Sequence, residues 1–391
     1  MSKHVVVTLT LLAALVAAIF WLVSEPDYSI HHVAQDRKLS DLQTLRARVE
    51  SDPASAMNWA ELATAYFAEA QASGDQKMFE LAIDAADRVL QFDSPYRKNA
   101  RLVLADVASA RHDFERALRY LDETEKESPN DVEVLPLRVI VLSGLGRYGE
   151  ALKAAYELTE KKPSSASYRL RGIARESVGA FIEAERDYAA AIGLEEKTDL
   201  EGAIENRFHL ARFYFRTGDP SRARRVLSPA LKISEQAKLR GLLGEIELKE
   251  KNYDAARTAF ETAQAIDKNP EWLVEQARVE KARGREERFR SLIDLAVELL
   301  KTEISAAPLA HPAALARALQ LSAKSGELDL ALELIKRELV KRQDVETLAT
   351  AVRIALAQGD VARAKGWMAE IEKTGNRRDE FGELSRAVGA N

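Results

Sequence analysis

The chain has 391 residues, 46% of them hydrophobic and 30% charged, with 57 basic and 62 acidic side chains and a formal net charge of −5. That mild acidity speaks against a nucleic-acid binder, whose footprint is strongly basic. The absence of cysteine excludes disulfides, thiolate zinc sites, iron–sulfur ligation, a cysteine nucleophile and a lipid-modified cysteine.

From Val5 to Val23 runs an uncharged stretch, VVVTLTLLAALVAAIFWLV. As a helix at about 1.5 Å per residue it measures about 28 Å, close to the roughly 30 Å hydrocarbon core of a bilayer. Lys3 and the α-amine flank one end, and Trp21 lies near the other, where indoles favour the interface. A secretory signal peptide has a shorter apolar core and a small-x-small cleavage site. Here the small residue downstream is Ser24, with bulky Leu22 two positions before it. Residues 1–23 therefore read as an uncleaved signal anchor, a single transmembrane helix. The next basic residue is Arg37, so positive charge puts the N-terminus in the cytoplasm and the body outside it, in the periplasm of a Gram-negative cell. The alternative topology faces the body to the cytoplasm.

Residues 24–39, SEPDYSIHHVAQDRKL, read as a polar linker. His31 and His32 do not make a metal site: adjacent side chains on an extended strand point apart, and no third ligand is near. Residues 40–52 predict a short capping helix with Leu42, Leu45 and Val49 on one face, ending at Asp52-Pro53.

Residues 138–152, RVIVLSGLGRYGEAL, pose a question of their own. The β-branched run Val139-Ile140-Val141 leads into Gly144, Gly146 and Gly149 and then into a helix former. On paper that is strand, GxGxxG, helix, the dinucleotide-binding fingerprint. The chain repeats itself around that stretch, however. A polar or glycine turn precedes an alanine-rich segment in RHDFERAL, LGRYGEAL, VGAFIEAE, TGDPSRAR, EKNYDAAR, SGELDLAL and QGDVARAK. The anchors Phe114, Tyr148, Phe181, Pro220 and Tyr253 are spaced 34, 33, 39 and 33 residues apart. Leu328 follows after 75, leaving room for a degenerate copy around Gly284-Arg285-Glu286, and Val361 after 33 more. Alanine lies three residues beyond every anchor: Ala117, Ala151, Ala184, Ala223, Ala256, Ala331 and Ala364. Small residues there let paired helices approach closely, and the large anchors fill the space between neighbouring pairs. Asp113, Asp219, Asn252 and Asp360 are placed to cap the helices that follow, and Pro220 sits at a first helical position.

This pattern resembles the tetratricopeptide repeat, a helix–turn–helix unit of about 34 residues. The first copy carries Trp59, Leu62, Ala63 and Tyr66 at the family spacing, then an insertion before FELAIDAADRVLQF. Residues 208–231 and 239–266 are further copies, and Pro129 and Pro163 close the second and third. The Trp is missing after the first copy, and residues 270–303 match poorly. The resemblance implies an all-α protein: a right-handed α-solenoid of about nine repeats over residues 53–375, preceded by the transmembrane helix and followed by a C-terminal cap over 376–391. Gly144 and Gly146 then form the turn of the third repeat, Gly149 lies inside the next helix, and the dinucleotide reading falls away.

Little else carries chemistry. No HExxH, GxSxG, Walker A or EF-hand loop occurs, and the histidines at 4, 31, 32, 112, 209 and 311 are scattered. Carboxylate neighbours such as Glu245 and Glu247 read as a solvated helix face. The expectation is a non-enzyme with no cofactor, no metal, no nucleic acid and no small-molecule substrate. In the family, one face of each first helix lines the groove of the superhelix. That register brings Arg169, Phe208, Arg212, Phe215, Arg216, Lys249, Arg278, Arg317 and Lys324 inward, interrupted by Glu176, Glu245 and Glu275. A mildly basic groove with aromatic rings suits acidic or C-terminal peptide segments of a protein partner. The family's two-carboxylate clamp is not matched. The expected role is a membrane-anchored scaffold for assembly of a cell-envelope, secretion or polymer-export complex. An alternative is an accessory factor of c-type cytochrome maturation that presents apocytochrome peptides.

Overall fold

The structure is a computed structural model that describes residues 34–73, 75–306, 312–324, 326–376 and 378–390. The expected signal anchor, most of the linker, and His31 and His32 lie outside the described residues. Among those described, no helix is long and apolar enough to cross a membrane.

Twenty α-helices and one short 3-10 turn account for the described secondary structure. A leading helix, α1 (Ala34–Ser51), starts earlier than the expected residue 40 and buries Leu42 and Val49. Nine antiparallel pairs follow. They are α2 (Ala56–Ser73) with α3 (Gln76–Leu90), α4 (Arg97–Ala110) with α5 (Phe114–Glu127), and α6 (Leu135–Gly144) with α7 (Tyr148–Lys161). Next come α8 (Ser165–Ser177) with α9 (Phe181–Gly193), α10 (Leu200–Arg216) with α11 (Pro220–Ile233), and α12 (Ala237–Lys249) with α13 (Tyr253–Asp267). The last three are α14 (Glu271–Ala282) with α15 (Glu286–Ala306), α16 (Pro312–Ser322) with α17 (Glu327–Lys341), and α18 (Val345–Ala357) with α19 (Val361–Lys373). A final helix, α20 (Asp379–Ala390), packs on α18 and α19. Residues 135–144 are helical, so the β-branched run belongs to α6 and no strand precedes Gly144.

Local rules explain the pairs. All seven repeat alanines are wholly buried, which is what lets the second helix of each pair lie close to the first. The anchors are less uniform: Phe114 and Tyr148 are buried, whereas Phe181, Pro220, Tyr253, Leu328 and Val361 keep some exposure. Within a pair, Gly172 meets Tyr188, and Gly244 meets Phe260, sixteen positions on in both cases. A Cβ on either glycine would come within 3.0 Å of the ring. Seven of the nine turns use a left-handed residue at an equivalent place, at His112, Gly146, Gly179, Gly218, Lys251, Gly284 and Gly359. The residue after it donates its N–H five positions back, as Arg147 does to the Leu142 carbonyl at 2.9 Å, closing the helix end. Asp113, Asp219 and Asp360 cap as expected, accepting from the N–H of Arg116, Arg222 and Arg363. Asn252 does not. Its side chain donates to Glu247 at 2.9 Å, where Arg224 also binds, so the side chain is committed to the preceding helix.

Candidate functional site

The array closes on itself. The turns of the second, third and fourth pairs meet the backbone near both ends of the ninth pair. Arg342 donates to His112 Nδ1 at 3.0 Å. The Tyr148 hydroxyl accepts the Val345 N–H at 2.8 Å, across 197 positions of chain. Asn376 donates to the Glu176 carbonyl at 3.3 Å. Here the glycines find their purpose. A Cβ on Gly146 would stand 2.7 Å from the Gln343 carbonyl oxygen, and one on Gly179 would stand 2.1 Å from that of Gly375. Glycine admits a backbone, as in the dinucleotide fingerprint, but the backbone is the chain's own. A cleft of about 390 Å³ remains between these turns and the ninth pair, with Tyr148, Gly149, Val178, Leu348 and Lys373 in its walls.

Deeper in, the first helices meet the C-terminal segment through charge. Glu346, at the start of α18, bridges Arg216 of α10 and Arg378 of the segment before α20. Glu176 of α8 binds the same two guanidiniums, at 3.3 Å and 3.2 Å, and accepts from the Tyr188 hydroxyl at 2.9 Å. The four groups alternate in sign around a ring. Burial opposes the charge on Glu346 and Glu176, but the guanidiniums overcome it and hold both carboxyls below their usual range. Burial likewise works against Arg216, and Glu346 and Glu176 outweigh it, raising its pKa. One turn further along, Lys249 of α12 reaches Asp379 at 3.0 Å and Glu383 at 3.3 Å, both on α20.

Two charges beside this ring are left over. Arg212 forms no salt bridge among the described residues; its guanidinium lies 6.0 Å from the Phe208 ring, with the Lys238 ammonium 5.6 Å from the same ring. Repulsion from Arg216, together with burial, lowers its pKa to about 10. Glu245 also lacks a bonded partner, and burial with the Glu275 carboxylate raises it to about 7. Burial and the neighbouring Arg212 push His209 well below the usual imidazole range.

The residues expected in the groove divide accordingly. Arg212, Arg216 and Phe208 share α10, and Arg169 joins them by donating to Asn206 at 2.8 Å. Phe215 is half-buried on the same helix. Arg278 pairs with its own helix neighbour Glu275 at 2.5 Å. Arg317 binds Glu271, away from the ring. Lys324 is not on a first helix; it stands in the turn before α17, bound to Asp294 of α15 at 2.5 Å. The spacing rule missed Glu346, Arg378 and Tyr148, whose role depends on the closure. Nothing local in the sequence signals it.

A sequence profile described as a tetratricopeptide repeat matches residues 102–166 and 208–270. No curated protein sequence matches the chain. Among solved structures, a tetratricopeptide repeat protein from Parabacteroides merdae is similar at 20% identity and TM-score 0.50, over 63% of this chain and 94% of that one. A chain of the APC/C hetero-tetramer Cut9–Hcn1 aligns at 18% identity and TM-score 0.46; the match takes in 78% of this chain and 59% of the other. PilW, a widely conserved type IV pilus biogenesis factor, aligns at 18% identity and TM-score 0.43, over 54% of this chain and 92% of its own. At these identities the likeness is one of fold.

Proposed function

We propose that this chain, which belongs to the tetratricopeptide-repeat proteins, is a scaffold that binds an acidic segment of a protein partner along the first-helix face of its middle repeats. Stacked repeats present extended surfaces for protein–protein interaction. The observation that carries the finer reading is Arg212: a guanidinium set against an aromatic ring, beside a neutralised charge ring, with no carboxylate of its own. A partner's carboxylate satisfies it with a charge-assisted hydrogen bond, bidentate where geometry allows. The work is binding rather than catalysis. The apolar run at Val5–Val23 supports a second part of the reading, that the scaffold is tethered to a membrane with its body outside the cytoplasm and serves assembly of an envelope complex.

The test uses the whole chain in its membranes. Crosslinking, capture and mass spectrometry are run on the wild type and on Arg212→Gln, which removes the guanidinium without adding a like charge beside Glu176 and Glu346. Loss of a specific set of partners in the variant supports the reading; retention of all of them removes it. A reporter fused after residue 391 reads topology, and activity on the cytoplasmic side would overturn the tethering proposal.

A further inference from the structure

We infer that the C-terminal segment, residues 342–390, is a built-in occupant of the binding face, held to its cations through Glu346, Asp379 and Glu383, which a partner must displace. This rests on the binding reading above and adds its regulation.

The charges at the contact are complementary. The repeat face contributes Arg216, Lys249 and Glu176, and the segment answers with Glu346, Asp379 and Glu383 for the cations and Arg378 for the carboxylate. The chain thus shows on itself that Arg216 and Lys249 accept carboxylates carried near helix starts, while Glu176 takes a guanidinium. A partner of the same kind, an acidic helical segment, competes for the same cations. Arg212 lies beside these contacts and is left unpaired by the resident segment, so an incoming ligand gains a carboxylate contact that the resident lacks.

The contact is also built to open. The segment has its own apolar core, made of Val345, Leu348, Val352, Met368, Ile371, Phe381, Leu384 and Val388. From the third and fourth pairs, only Tyr148 and Val178 join that core. Among the described residues, ion pairs, single hydrogen bonds and glycine-backbone contacts also cross the boundary. Such a junction loses little apolar burial on parting. In a solenoid, small rotations spread over several repeats suffice to part it without unfolding any helix.

Val345 provides a reporter. Its N–H is at the first position of α18, where no intrahelical acceptor exists, and it is bonded to the Tyr148 hydroxyl. In the full chain, the neutral variant Glu346→Gln/Asp379→Asn/Glu383→Gln weakens the segment's hold while leaving its core intact. Hydrogen exchange at Val345 is expected to quicken at least ten-fold, with amides of α13 unchanged. Unchanged exchange at Val345 overturns the proposal. A lock supplies the opposite arm. A Cβ on Gly218 would stand 3.8 Å from that of Asp379, a separation that suits a disulfide, and the chain has no other cysteine to interfere. Gly218→Cys/Asp379→Cys is titrated, reduced and oxidised, with a fluorescein-labelled oligoglutamate at low ionic strength. The reduced form is expected to bind at least ten-fold more tightly than the oxidised form. Equal binding by the two forms contradicts the displacement. If exchange at Val345 quickens but the reduced form binds nothing, the binding reading fails and the opening of the segment stands.

Discussion

Lys251 and His112 hold left-handed backbone, at φ of 63° and 56°, in a position that five other turns give to glycine. A side chain there costs on the order of 1 kcal/mol. Lys251→Gly should therefore stabilise the protein by about 0.5–1 kcal/mol in urea unfolding; a loss of stability would contradict this account of the turn. Gly146→Ala runs the other way, since it adds both the left-handed strain and a clash with the Gln343 carbonyl. Glu245 yields a prediction in pH. Burial and the Glu275 carboxylate push its carboxyl up to about 7 in the fold, from the usual 4.5 of a free side chain, so the folded state holds an extra proton between those values. The stabilisation is complete below about pH 4.5 and is lost as the pH rises through 7. Glu245→Gln mimics the protonated form. It should match the wild type in thermal unfolding near pH 4.5 and exceed it at pH 8 by on the order of 1 kcal/mol, solvent contact reducing the full value. Equal stability at pH 8 would show that the carboxyl is not strained.

Helix pairing is where the sequence was most readable. The alanine register, the turn glycines and the aspartate caps all act over a few residues, so their spacing alone locates each pair, and all seven alanines are fully buried. Even the poorly matched copy folds as α14 and α15, with Glu286 at the anchor position and Phe289 buried where the other copies place alanine. Asn252 shows the limit of local reading. It occupies a capping position, but its side chain donates to Glu247 of the preceding helix, a carboxylate that Arg224 also binds. Asp360→Ala should cost about 1 kcal/mol, because its carboxylate accepts from the Arg363 N–H at 3.0 Å at the start of α19. Thermal denaturation measures this, and a change within error would mean that α19 does not depend on its cap.

In the whole molecule, closure sets the character of the candidate site, and closure could not be read from spacing. The contacts join positions 130 to 230 residues apart. They depend on a small rotation accumulated from repeat to repeat, which no single motif encodes. Of the residues picked by the groove register, Phe208, Arg212, Phe215 and Arg216 share α10, Arg169 reaches that helix through Asn206, and Arg317 and Lys324 bind acids elsewhere. Arg216 and Lys249 are engaged by the chain's own acids, Arg169 by the Asn206 amide, and Arg212 forms no salt bridge among the described residues. The C-terminal helix α20, in the stretch expected to cap the array, packs on α18 and α19 and also meets α12 through Lys249.

The most direct check is a distance measurement on the full chain in solution. Because it has no native cysteine, spin labels can be placed at Ser221 and Arg386, two exposed positions on either side of the Gly218–Asp379 approach. A closed array predicts one narrow, short distance, lengthening in the Glu346→Gln/Asp379→Asn/Glu383→Gln variant. A broad or long distribution in the wild type would contradict it.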